Sequence, residues 1–241
     1  MKTAIDILLL VILVYGTWTG YKRGLIMGLA GVLVLVVSVY GANLLSNAFS
    51  YDVVPALRPF AGGYIEKMVD GEDGVLESMD WDNDHNYSLN DLLSQYTDEH
   101  DEFAAECFRR LGITPAAADV MAESAVSYSR EHNENLVDAI VHELCARISY
   151  MGCFVIAFLI IVIILTVVIN LPNLSYKIPH LDLANDIAGT VIGFVTAAAY
   201  CAVFVWALKF MGIIIGGETL GDTVLGGWFL KHDFLARILG A

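Results

Sequence analysis

The chain has 241 residues, of which 57% are hydrophobic and 17% charged, with 27 acidic and 13 basic side chains and a formal net charge of −14. Soluble proteins carry about 25% charged residues, so this composition excludes a disordered chain and argues against an ordinary water-soluble globule. The acidic balance excludes a nucleic-acid footprint, and four cysteines without close pairing leave little room for a disulfide scaffold or a zinc ribbon.

The charge is concentrated in the middle of the chain. Asp52 to Arg147 holds 21 acidic and 6 basic residues, whereas the rest of the sequence is close to neutral. An acidic, polar segment is therefore inserted between apolar ends, as expected of a membrane protein with a water-exposed insert.

Four apolar stretches follow in chain order. The first runs from about 4 to 20, with Asp6 its one acidic residue; the second, about 25–45, lies in an uncharged interval between Arg23 and Asp52. The third, about 150–170, and the fourth, about 187–208, are also free of charge. A hydrocarbon layer ~30 Å thick takes about 20 helical residues, which the last three satisfy and the first approaches. The first stretch also has the basic start and apolar centre of a signal peptide, but residues 15–20 offer no small-x-small cleavage site. The fold expected is all-α: a polytopic membrane protein with four transmembrane helices and an inserted small helical acidic domain. Its parts are a transmembrane hairpin (1–46), the insert (47–149), a second transmembrane pair (150–217) and an amphipathic interfacial tail (218–241).

Lys22 and Arg23 lie in the short turn of the hairpin, and the positive-inside rule places that turn in the cytoplasm and the acidic insert outside. Gly16, Gly20, Gly24 and Gly28 recur every four residues, and Gly189 and Gly193 repeat the spacing later. At that interval glycines form a helix face that admits another backbone closely. The spacing predicts packing faces, and the Gly16/Gly20 face is the expected contact for a homo-oligomer or another membrane protein.

An early aspartate (Asp6), a glycine-spaced first helix, the Lys22-Arg23-Gly24 turn and Gly28 are followed later by Pro179, Leu181, Asn185, Asp186, Gly189 and Gly193. Together these resemble the colicin V production protein (CvpA-like) family, over roughly residues 1–50 and 150–212. The resemblance implies a bacterial inner-membrane protein linked to production or export of a peptide toxin, or to envelope maintenance. The acidic insert is longer than the connection usual in that family.

Within the insert, Phe103, Cys107, Phe108 and Leu111 mark a helix that Gly112 would end, and Thr114-Pro115 would start the next. The stripe Leu136, Val137, Ile140, Val141, Leu144, Ile148 continues without a breaker into the third span. Asp80, Asp82, Asp84, Asn86, Ser88 and Asp91 occupy positions 1, 3, 5, 7, 9 and 12 of a calcium loop, which makes a divalent cation one partner to test. His85 stands where that loop needs glycine, however, and Ser88 to Asp91 also forms a capping-box variant. His85, His100 and His132 are expected on solvated surface. Cys107 and Cys145 could pair in an oxidising compartment, although spacing does not show that they meet. Asp6 and Asp186 are expected as interface residues or helix caps, with an ion path through a small transporter or channel as the alternative. Lys209 is expected to snorkel at the end of the fourth span. No nucleophile–base pair, phosphate loop or complete zinc motif appears, so neither an enzyme nor a bound cofactor is expected.

Overall fold

The computed structural model describes residues 2–70, 74–79, 81, 88–170, 182–210 and 220–232. Among the described residues there is no β-strand. The helices are α1 (Lys2–Asp70), α2 (Val75–Ser78), α3 (Leu89–Gln95), α4 (His100–Arg110), α5 (Pro115–His132), α6 (Leu136–Asn170), α7 (Asp182–Lys209) and α8 (Val224–Lys231), with a 3₁₀ turn at Thr97–Glu99. Three of them, α1, α6 and α7, are long and apolar enough to cross a membrane. The chain divides into two compact units: Met1–Ala48 with Met151–Leu208 and Thr219–Ala241, and Phe49–Tyr150 with Lys209–Glu218.

In the first unit, α1 is interrupted at Gly24, whose φ of 71° and ψ of −175° are not helical. Side chains with a Cβ rarely adopt this conformation, so the sharp change of direction rests on glycine. The arms on either side, residues 2–23 and from 25 onward, both pack on α7. Along the first arm, Gly16 meets Ala197, Gly20 meets Gly193, and Gly24 meets Gly189. Partner numbers fall as α1 numbers rise, so this arm and α7 run antiparallel. Past the break, Gly28 lies against Ile192, and Gly41 faces Ile161 of α6. The approach is close: a Cβ added at Gly20 would lie 2.6 Å from the Cα of Gly193, and one at Gly193 would lie 2.7 Å from the carbonyl oxygen of Gly16. Backbone-to-backbone contact of this kind supplies the dispersion and weak Cα–H···O attraction that hold helices together in lipid, where no hydrophobic effect acts between them. The Gly16/Gly20 face, expected to meet a second copy, is thus covered by α7 of the same chain.

Larger residues fill the unit towards the other end of the first arm. Leu9 and Trp206 are fully buried, the Cys201 thiol donates to the Leu9 carbonyl at 3.6 Å, and Trp206 meets Phe154 of α6 edge to face at 5.2 Å.

In the second unit, α4 and α5 pack together around Phe103, Cys107, Phe108, Ala118, Met121 and Ala125, all buried. Gly112, at φ 80°, ends the α4 segment, and Pro115 takes the first position of α5. Thr114 precedes that proline as expected, but its hydroxyl makes no capping bond. Trp81 stacks between Tyr96 and Phe103 at 4.9 and 5.5 Å and donates its indole N–H to Glu99. Two boundaries differ from expectation. α1 continues to Asp70 with Pro55 and Pro59 inside it, and α7 begins at Asp182, before the apolar run at 187. Apolar content marks where lipid can solvate a helix, whereas backbone bonding continues wherever nothing interrupts it.

The glycine contacts set a measurable cost. Gly20→Leu and Gly193→Leu should each destabilise the chain by ~1–3 kcal/mol through overpacking, read as an earlier midpoint when folded protein in mixed micelles is titrated with dodecyl sulfate. Gly31→Leu, whose Cβ meets nothing within 4 Å, should stay near wild type; equal midpoints for all three would contradict the packing.

Candidate functional site

The break at Gly24 leaves the first N–H groups of the following helix without intrahelical partners. One of them, Leu25 N–H, donates to Oδ1 of Asn185 at 3.0 Å. Asn185 is buried on α7, and its side chain fills the space over Gly24 that a Cβ would need. An asparagine from one helix therefore caps another, as an N-cap residue does for its own. The sequence pointed to Asp186, with Asn185, as a cap for the start of α7 itself. With α7 beginning at Asp182, Asp186 sits inside the helix, where its carbonyl accepts from the Thr190 hydroxyl at 2.7 Å.

Asp6 is a cap, but for a distant helix. Its two carboxylate oxygens accept the backbone N–H groups of Val224 and Leu225 at 3.0 and 2.9 Å, at the N-terminus of α8. Thr223, the local cap position, makes no side-chain capping bond, and its hydroxyl instead donates to Leu220 O at 2.7 Å. A carboxylate at a helix N-terminus also meets the positive end of the helix dipole. Lys2 and Asp222 form an exposed ion pair at 2.5 Å beside it. Asp6 and Asp186 are not brought together: they lie near opposite ends of the first arm of α1, about 27 Å apart along its axis.

Beside the glycine contacts, both arms of α1 together with α6 and α7 line a half-open cavity of about 340 Å³. Its lining is mostly apolar or glycine, including Ile12, Met27, Gly28, Gly31, Val34, Ile169 and Ala197. Thr19 and Thr196 also line it, but their hydroxyls donate to carbonyls of their own helices, Tyr15 O at 2.7 Å and Ile192 O at 2.8 Å. Arg23 and Asn170, the last residue of α6, mark the end of the cavity beside the Gly24 break. Lys22 turns elsewhere, over the Trp18 ring at 4.2 Å. Sequence reasoning gave Arg23 a topological role only and did not find the cavity; the one available signal was a cation next to a glycine break.

A second cavity, about 570 Å³, lies in the other unit, bordered by Arg58, Glu66, Glu134 and Asp138. Arg58 pairs with Glu134 at 3.4 Å. Among the described residues no three His, Cys, Asp or Glu side chains converge as a metal site. Asp80, Asp82, Asp84 and Asn86 of the calcium-loop expectation lie outside the described residues. Asp91 forms a capping box at α3: its backbone N–H donates to Ser88 Oγ at 3.3 Å, and its carboxylate accepts from Ser88 Oγ at 2.7 Å and Ser88 N–H at 3.2 Å. Those bonds, the hydroxyl first, hold its carboxyl below the usual carboxylate range.

Cys107 and Cys145 are separate, buried, free thiols, and burial pushes the Cys107 thiol up to about 12. His132 is exposed and stacks on Tyr128 at 4.1 Å, whereas His100 is partly buried against the Leu93 carbonyl at 2.8 Å. Lys209 is buried rather than extended to solvent, with its ammonium 5.0 Å from the Phe210 ring. No family model, curated protein or solved structure matches this chain.

The Asp6 contact separates a cap from an ion-path residue. Asp6→Ala should release α8 and cost ~0.5–2 kcal/mol, seen as faster hydrogen exchange at the Val224 and Leu225 amides. Asp6→Asn, which keeps an acceptor oxygen, should largely preserve protection; unchanged exchange in the alanine variant would contradict the cap.

Proposed function

We propose that the chain is a non-enzymatic, multi-pass bacterial inner-membrane protein that crosses the bilayer four times and carries its acidic helical insert outside the cytoplasm. The observation that carries this reading is the outward surface of α6. Ile156, Leu159, Ile160, Ile163, Ile164, Val167 and Val168 are all more than half exposed on one helix. A contiguous apolar surface of that extent calls for lipid or protein around it. α1 and α7 also expose apolar residues, such as Leu33 and Val36, and Val191 and Val195.

Four crossings follow if the Gly24 break is a membrane turn. Residues 2–23 then supply about 33 Å of helix at ~1.5 Å per residue, enough for the hydrocarbon layer. Asn170 shares a cavity with Arg23, and Asn185 bonds Leu25, so the end of α6 and the start of α7 lie at the same level as that turn. Lys22 and Arg23 would thus lie on that side. The positive-inside rule makes that side cytoplasmic. The insert and α8 then belong to the opposite side, where Trp228 on the exposed surface of α8 suits the headgroup region. A part in toxin production or export, or in envelope maintenance, follows from the resemblance to the colicin V production family.

Reporter fusions at residues 21, 90, 178 and 241 test the arrangement. Cytoplasmic signals at 21 and 178 with extracytosolic signals at 90 and 241 are expected, together with full retention in membranes after alkaline carbonate. Signals at 21 and 90 from the same side, or release of the chain by carbonate, would overturn it.

A further inference from the structure

We propose that the cavity between α1, α6 and α7 holds an anionic phospholipid, with an acyl chain along its apolar wall and the phosphate on Arg23. The inference rests on the membrane reading above and adds a ligand to it. About 340 Å³ falls within the ~300–1,000 Å³ typical of small-molecule sites. The wall suits a hydrocarbon chain: Ile12, Met27, Val34 and Ile169 are apolar, Gly31 leaves open space, and the hydroxyls of Thr19 and Thr196 are spent on their own helices.

Charge defines the other half of the ligand. Arg23 is the one charged residue among the described residues lining the cavity. It is exposed, and none of the ion pairs among the described side chains involves it. It stands at the Gly24 break, level with the last residue of α6, which is headgroup depth in a four-crossing arrangement. A guanidinium presents a planar fork of donors that matches phosphate oxygens, and basic pockets between membrane helices on the cytoplasmic side are known headgroup sites. A zwitterionic lipid would bring its own ammonium beside the arginine; an anionic one brings none.

The test uses the full chain reconstituted in phosphatidylcholine vesicles containing chain-spin-labelled phosphatidylglycerol or, separately, equally labelled phosphatidylcholine. Electron spin resonance reads the motionally restricted lipid, and carbonate retention is measured on the same vesicles. Phosphatidylglycerol should be preferred by about fivefold, the contribution of one cation near a membrane surface. Arg23→Gln should remove the preference. Gly31→Leu should reduce restriction of phosphatidylglycerol, and with it the preference, by filling the cavity while the protein stays embedded.

Equal retention of the two lipids by embedded wild-type protein overturns the proposal alone. A preference lost in Arg23→Gln but untouched by Gly31→Leu also overturns it, because surface charge would then suffice without the cavity. Release by carbonate overturns both this proposal and the membrane reading.

Discussion

A helix that breaks and restarts within a tight hairpin must find partners for the amide groups at its new start, which have none within the helix. Here the stop is Gly24, in a backbone conformation that favours glycine, and the amide that follows is taken up by Asn185 from α7. The same side chain occupies the space over Gly24 where a Cβ would have been. One contact therefore ends one helix, starts another and sets the register of α7 against both. With that register in place, Gly16 and Gly20 fall opposite Ala197 and Gly193, and the backbones can close. The cavity beside Arg23 lies next to these close contacts, where both arms of α1 and the two later helices line a common space.

The contacts at the other end of the first arm follow a related logic. Asp6 satisfies the leading amides of α8, a helix more than two hundred residues away in sequence. Two polar side chains, Asp6 and Asn185, thus complete helix ends that their local sequences leave open. Each joins elements that are distant in the chain, so each constrains tertiary arrangement as well as local structure.

What could be read from the sequence divides along the same line between local and distant. The helical character, the apolar runs and the Ser88–Asp91 capping box depend on residues a few positions apart, and periodicity or spacing reveals them. The glycine positions were visible for the same reason. Their partners were not: an i, i+4 repeat shows that a face is small but carries no information on which helix covers it. A second copy was the expectation, and α7 of the same chain is the answer. Asn185 and Asp186 illustrate the limit more sharply. Both are good capping residues, and because hydropathy put the start of the helix at 187, they were expected to cap that start. The helix begins at Asp182 instead, so the cap it provides is directed across to Leu25 and comes from Asn185. Pro55 and Pro59 each remove one amide donor, yet the helix continues through both.

The dependence of the hairpin on one asparagine can be measured directly by site-resolved hydrogen exchange at the Leu25 amide in lipid-reconstituted protein, comparing wild type with Asn185→Ala. The account predicts a protected amide that becomes fast-exchanging in the variant, with ~1–3 kcal/mol of lost stability from the unsatisfied group. A Leu25 amide that exchanges equally slowly in both proteins would contradict it.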